Sequence, residues 1–266
     1  MGLIKSCISF IILIYLITSA SQKKPVLFII GDSTVATAKV GNTIQGWGGM
    51  INNYLDTSKI EIKNYAVSGT SSRTFKTGIV HDASLRKDGL WKGVLEKIKP
   101  GDFVIMQFGH NDESPLQDTS RMRGSIKGIS DDSVIVKNHF TKKNETVYTY
   151  GHYLNAYVND IKAHGATAII CSPIPKNKWK NNLVVRNQND YGKWAKEIAK
   201  LNNINFIDLN HLVANRYDIE GVENVKAKYF VADGVHTTKL GAELNAFEVA
   251  KSLKKTKLRN YLNFKN

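Results

Sequence analysis

Two cysteines and five prolines in 266 residues leave little covalent or conformational bracing. Cys7 lies in the extreme N-terminal segment and Cys171 in an apolar run, so a disulfide framework is excluded and stability must come from a packed core. No Pro/Gly/Ser-rich stretch marks a linker, and no internal repeat or low-complexity tract occurs, which argues against an array or a string of modules. His81, His139, His152 and His164 have no ligand spacing, so no metal is expected. Acidic residues are also scarce: 23 against 37 Lys and Arg, a formal net charge of +14. Such a field attracts polyanions. There is no zinc-finger spacing, long basic helix or other nucleic-acid motif, so nucleic acid is not the expected partner.

The first residues read as an export signal. Lys5 supplies a positive n-region, and Ile8 to Ile17 form an apolar run of about ten residues, enough for an h-region but too short to span a bilayer. Thr18, Ser19 and Ala20 are small, which places cleavage after Ala20. The expectation is a signal peptide over 1–20, no stable membrane association after its removal, and a secreted or periplasmic single domain over 21–266.

With 42% hydrophobic residues the remainder can bury one sizeable core. Apolar runs at 26–30, 60–67, 103–108, 166–171 and 205–209 read as strands. Helical spacing occupies about 45–56, 86–98, 150–164, 189–202 and 238–254, the last with Leu240, Leu244, Phe247 and Ala250 to Leu253 on one face. Alternating strands and helices imply an α/β fold with a parallel sheet between helical layers, and ligands at the carboxyl ends of its strands. Residues 113–149 break the alternation. This polar segment, with Arg121 and Arg123 and then Val134-Ile135-Val136 and Thr146-Val147-Tyr148, reads as a long loop with a small hairpin that forms one wall of a cleft.

Chemistry-bearing residues follow the strands. Gly31-Asp32-Ser33-Thr34 follows the first, Ser68-Gly69 the second and Gly109-His110-Asn111-Asp112 the third. Asp233-Gly234-Val235-His236 precedes the last helix. A serine hydroxyl needs an imidazole to take its proton, and the imidazole needs a carboxylate to fix its tautomer. Ser33, His236 and Asp233 supply those types. The backbone N–H groups of Ser33 and Gly69 and the side-chain amide of Asn111 can form an oxyanion hole. Asp208-Leu209-Asn210-His211 repeats the carboxylate-to-histidine spacing, but reads as a strand-to-helix junction capped by Asp208 with His211 partly packed. Cys171, inside a strand, reads as inert.

The four blocks resemble those of the SGNH (GDSL-like) hydrolase superfamily. More narrowly, Gly31-Asp32-Ser33-Thr34-Val35-Ala36, Gly46-Trp47-Gly48, Asn64-Tyr65-Ala66, Ser72-Arg73-Thr74-Phe75, Gln107 to Asp112 and Cys171-Ser172-Pro173-Ile174-Pro175 resemble the rhamnogalacturonan acetylesterase family of carbohydrate esterases. The resemblance implies a flavodoxin-like three-layer α/β/α sandwich around a five-stranded parallel sheet. It also implies cofactor-free hydrolysis of acetyl esters on pectic polysaccharide, with Ser33 as nucleophile, His236 as base and Asp233 as its partner. Two departures concern the sugar: Thr70 stands where the family often has arginine, and Lys176 replaces an arginine after Pro-Ile-Pro. Candidate contacts to an acetylated acidic polysaccharide are Arg73, His110, Lys176 and Trp179. A broad SGNH lipase or thioesterase and a non-catalytic binding module for acidic polysaccharide stay open as alternatives.

Overall fold

The computed structural model describes residues 23–86 and 90–264, so the expected export signal lies outside the described residues. The chain begins with β1 (Val26–Gly31), two 3₁₀ turns (Trp47–Gly49 and Ile51–Tyr54), β2 (Glu61–Asn64), α1 (Ser72–Thr77), α2 (Ala83–Arg86), α3 (Leu90–Leu95) and β3 (Phe103–Gln107). A hairpin of β4 (Ser133–Lys137) and β5 (Asn144–Tyr148) leads into α4 (Tyr150–Ala163) and β6 (Thr167–Cys171). A second, two-residue-stranded hairpin of β7 (Trp179–Lys180) and β8 (Leu183–Val184) precedes α5 (Tyr191–Leu201), β9 (Asn205–Ile207), α6 (Leu209–Glu220), α7 (Val222–Tyr229) and α8 (Lys239–Leu253).

The central sheet has the order β2-β1-β3-β6-β9, and every pairing in it is parallel. Renumbered within the sheet this is 2-1-3-4-5, the flavodoxin-like order, with its switch point between β1 and β3. β1 (VLFIIG) and β3 (FVIMQ) are buried on both faces, which explains their unbroken apolar runs. Alternate residues feed two cores. Leu27, Ile29, Ile105, Ile169 and Ile207 pack against Trp47, Ile51 and the α6–α8 layer. Phe28, Ile30, Val104, Met106 and Ile170 pack against Phe75, Trp91, Tyr157, Ile161 and Ile198 from α1, α3, α4 and α5. The three-layer α/β/α sandwich implied by the family resemblance is thus the fold. Cys171 is fully buried and unpaired, and burial pushes its thiol up.

Three expectations need correction. The helix expected over 45–56 is a pair of 3₁₀ turns, because Gly46, Gly48 and Gly49 are poor helix formers. They allow close packing instead: a Cβ at Gly46 or Gly48 would lie 2.6 Å or less from the Val35–Ala36 backbone. On α8, Leu240 is 61% exposed, and the buried stripe runs through Ala242, Ala246, Val249 and Leu253. The segment 209–229, read only as a junction, forms α6 and α7, with Val213, Tyr217 and Val225 buried.

Candidate active site

The carboxyl ends of β1, β2 and β3 open on one edge of the sheet, and each delivers part of the site. β1 ends at Gly31, where a Cβ would lie 2.6 Å from the Gln107 carbonyl, so a larger residue would push β1 away from β3. Asp32 then makes a tight turn. Its buried Oδ1 accepts from the Thr34 N–H (2.8 Å) and hydroxyl (2.7 Å), and its carbonyl accepts from the Val35 and Ala36 N–H groups. The turn turns Ser33 outward, half-buried, while Asp32, Thr34 and Val35 point in.

Beneath Ser33 lies a buried polar chain. Gln107 donates to Thr34 Oγ1 (2.6 Å) and accepts from the Trp47 indole (2.9 Å). These bonds tie β3, the serine turn and the first 3₁₀ turn into one rigid floor.

His236 arrives from the loop before α8. That loop is held by a bridge between Phe230 and Thr237, and by Thr237 exchanging hydrogen bonds with Gln45 (3.0 and 2.7 Å). Gly234 takes a left-handed conformation (φ 67°) that lets Asp233 turn back on His236. Asp233 Oδ1 accepts from the backbone N–H groups of Val235 and His236, both at 2.9 Å, and its Oδ2 lies 2.6 Å from His236 Nδ1. With Nδ1–H donating there, Nε2 is left to accept the Ser33 hydroxyl at 2.8 Å. Partial burial opposes the charge on Asp233, but the hydrogen bond from the His236 ring, the two backbone N–H donors and the proximity of that same ring outweigh it and hold the carboxyl below its ordinary range. Asp233 is therefore a carboxylate whenever it orients the imidazole.

Facing Ser33 are the oxyanion candidates. Gly69 is left-handed (φ 81°), and among the described residues neither its N–H nor that of Ser33 donates to a protein acceptor. The Asn111 amide donates one N–H to the Thr70 carbonyl at 2.7 Å, which leaves its second N–H for the cleft. Thr70 is buried, and its hydroxyl bonds Val67 O (2.8 Å), so this departure from the family pattern fastens the Gly69 turn from below.

Under Asn111, Asp112 is fully buried. It accepts from the Ser72 N–H (3.2 Å), the Ser72 hydroxyl and the Ser125 hydroxyl (2.9 Å). Burial raises its carboxyl to about 6, against the Ser72 and Ser125 hydrogen bonds. His110 Nε2 meets the Ile174 carbonyl at 3.0 Å, while Nδ1 faces Asp32 Oδ2 at 3.6 Å, beyond hydrogen-bond range. Burial also penalises Asp32, but His110 and then Thr34 overcome it and hold that carboxyl low.

The four expected polysaccharide contacts fare differently. Lys176 lines the cleft, ion-paired with Glu113. His110 borders it but has only 5% of its side chain exposed, and it joins the β3 loop to the 173–175 segment. Arg73 is a correction. Its side chain is wholly buried, bonded through Nε and Nη2 to Glu145 (2.8 and 2.7 Å) and through Nη1 to the carbonyls of Gly124 (2.8 Å) and Leu116 (3.2 Å). With four of its five N–H donors bonded to protein and no exposed surface, it is a strut. Trp179 is also corrected: it packs on the core, its indole N–H bonds Asn177 (2.7 Å), and it does not line the cleft. At the second carboxylate-to-histidine pair, Asp208 caps α6 as expected, but His211 is exposed.

The cleft over Ser33 and His236 has a volume of about 540 Å³. Glu113, Arg121 and Arg123, from the 113–149 segment, form one side. Sequence reading placed these arginines in a segment expected to wall a cleft, but did not name them as contacts. Their signal was the alternation about Met122, which is buried against Val136 and Val147 while its neighbours face out.

Residues 27–249 match the family model described as GDSL-like Lipase/Acylhydrolase. A Bacillus subtilis (strain 168) protein named "Probable rhamnogalacturonan acetylesterase YesY" is 27% identical over 232 residues, 86% of this chain and 92% of the relative. A protein of Emericella nidulans named rhamnogalacturonan acetylesterase is 24% identical over 220 residues, 83% of this chain and 81% of the relative. Among solved structures, Bacillus subtilis YxiM superimposes with a TM-score of 0.68 at 22% identity, covering 87% of this chain and 56% of that one. A variant of Axe2, an acetyl-xylooligosaccharide esterase from Geobacillus, gives 0.53 at 20% identity, covering 88% and 95%. The chain belongs to the GDSL-like lipase/acylhydrolase family, within the SGNH hydrolases, and is an esterase with rhamnogalacturonan acetylesterases among its relatives.

Proposed function

We propose that this esterase removes acetyl groups from pectic polysaccharide, with Ser33 as nucleophile, His236 as general base and Asp233 as its orienting carboxylate. The observation that carries the reading is the unbroken relay from Asp233 Oδ2 through the His236 ring to the Ser33 hydroxyl, at 2.6 and 2.8 Å. Nε2 takes the hydroxyl proton as Oγ attacks the acetyl carbonyl. The oxyanion forms against the N–H groups of Ser33 and Gly69 and the free amide N–H of Asn111. The imidazolium then protonates the departing sugar oxygen, leaving an acetyl-serine. Water, deprotonated by the same nitrogen, attacks that ester and releases acetate.

The acetyl and carbohydrate parts of the reading draw on the relatives' names. The lining of the cleft agrees with them. Ile44 and Val235 are its aliphatic members, whereas Arg121, Arg123 and Lys176 are cationic. A long acyl chain would find little apolar surface there, and a polyanion would be attracted. We further propose that residues 1–20 direct export to the periplasm or medium and are cleaved after Ala20, leaving one hydrolase domain.

The test is acetate release from acetylated rhamnogalacturonan. Wild type is expected to be active, with a rate that declines as salt rises, and Ser33→Ala to be inactive while keeping the wild-type circular dichroism spectrum. Wild-type turnover by Ser33→Ala refutes the assignment of the nucleophile.

A further inference from the structure

Four cations lie at or beside the catalytic cleft or brace its wall, and they are not equivalent. Arg73 is held by Glu145 and two carbonyls, and Lys176 is paired with Glu113. Arg121 and Arg123, by contrast, have no carboxylate partner among the described residues. Arg123 donates through Nε to Ser114 Oγ at 3.1 Å, and the Arg121 guanidinium makes no hydrogen bond or ion pair there. Both line the same cleft as Ser33 and His236.

Arg121 comes closest to the chemistry. Its Nη1 lies so near Gly69 that an added Cβ would collide with it, and the next nearest neighbour of that Cβ is His81 at 3.5 Å. The guanidinium therefore borders the oxyanion turn, although Arg121 and Gly69 are far apart along the chain.

The placement is built. Met122 holds a left-handed backbone (φ 49°), which is unfavourable for a residue with a side chain. It is kept there by its burial at 2% exposure, by its N–H bond to Asp118 O (2.7 Å), and by its sulfur accepting the His139 N–H. On the next residues, Gly124 O is gripped by Arg73, and Ser125 bonds Asp112 through both N–H (3.1 Å) and hydroxyl. The backbone that carries the two guanidiniums is thus part of a wall bolted to the floor of the site. Their like charges oppose each other: burial first, and then the charge of Arg121, make the Arg123 cation harder to hold. A fold that lines one cleft with two such groups, neither of them ion-paired among the described residues, is arranged for an anion from outside.

We infer that Arg121, assisted by Arg123, is a specificity-determining site for the carboxylate of a uronic acid unit next to the acetylated sugar. A planar guanidinium fork matches a carboxylate with two parallel N–H···O bonds, and the exclusion of bulk water in a cleft strengthens them. This rests on the carbohydrate acetylesterase reading and names the substrate feature that the site would read.

The experiment compares acetylated oligogalacturonate as the free acid with the same oligomer methyl-esterified, for wild type, Arg121→Gln, Arg121→Lys and Lys97→Gln. Lys97 lies at the opposite end of the sheet, beside Pro100 and Asp102, and its substitution removes one positive charge far from the cleft. Wild type is expected to favour the free acid. Arg121→Gln should reduce the ratio of the two kcat/KM values by about tenfold or more, mainly through KM, as loss of a hydrogen bond to a charged group implies. Arg121→Lys should fall between, because it keeps the charge without the fork, and Lys97→Gln should keep the wild-type ratio. Equal use of both oligomers by wild type, or equal ratios in Arg121→Gln and Lys97→Gln, overturns the inference. So does an equal loss of kcat on both oligomers in Arg121→Gln, which would mark Arg121 as an oxyanion group. If wild type releases acetate from acetylated rhamnogalacturonan but from neither oligomer, the inference alone is overturned; if it cleaves 4-nitrophenyl acetate but none of the three carbohydrates, the carbohydrate reading fails and the inference with it.

Discussion

Replacing Arg73 by methionine should destabilise the protein by about 3–5 kcal/mol, the range for removing one partner of a buried ion pair. The structure sets the terms. The guanidinium is fully buried, its partner Glu145 is 8% exposed, and four hydrogen bonds of 2.7–3.2 Å converge on it. Arg73→Met leaves the Glu145 carboxylate in the interior with Asn138 as its remaining donor, and leaves the Gly124 and Leu116 carbonyls without Nη1. Such a loss of about 3–5 kcal/mol would be a fifth or more of the stability of an ordinary domain, about 5–15 kcal/mol. Glu145→Leu should cost a similar amount by stranding the guanidinium. The double variant should recover much of the loss, since an apolar pair of similar volume is often neutral in place of a buried ion pair. Urea unfolding of the four proteins gives the coupling energy directly. An Arg73→Met variant within about 1 kcal/mol of wild type, with a raised KM on polysaccharide, would refute the strut and restore Arg73 as a substrate contact.

Other consequences follow from the same geometry. Asp233→Asn should lower kcat by about 10³–10⁴-fold with the fold retained, because the amide no longer fixes the His236 tautomer, and steady-state kinetics on 4-nitrophenyl acetate will show it. Asn111→Ala should lower kcat by about 10²–10³-fold with little change in KM, as removal of one oxyanion donor does elsewhere. Asp112, raised to about 6 from an ordinary 3.8, keeps an extra proton in the folded protein between those values. Its contribution to stability is therefore complete below about pH 4 and lost as pH rises through about 6. Asp112→Asn should flatten that part of the profile in thermal melts. The lowered carboxyls of Asp32 and Asp233 act in the opposite sense and only toward more acid pH.

The sheet was legible in the sequence because its strands are buried on both faces. The unbroken runs at β1, β3 and β6 admit few other readings, and the blocks after them converge because parallel strands share an edge. Ser33 was legible for the same reason, whereas Asp233 and His236, in the loop before α8, were legible from their carboxylate-to-imidazole spacing. Arg73 was not. A charge on a short helix reads as solvent-facing until its partner is known, and Glu145 lies 72 positions away on a hairpin whose docking no local pattern specifies. Trp179 misled in the same way, since an aromatic in a polar loop gives no sign of which side it packs on. The wall carrying Arg121 and Arg123 was visible as an interruption bordering a cleft, without a sign of which side chains face in. Its placement depends on Met122 in a left-handed conformation and on the Asp112–Ser125 bonds, which are tertiary facts.

Ser33 and His236 stand 203 positions apart, the first in the opening strand's turn and the second just before the closing helix. A polypeptide cut short anywhere before His236 would carry the hydroxyl without the imidazole that accepts its proton. Hydrolysis is thus a stricter gauge of a finished molecule than helix content or compactness, because it registers only after both ends have been threaded into one body. Two separately expressed fragments, divided at an exposed bend between them, would each be silent alone, and turnover on mixing would report their assembly.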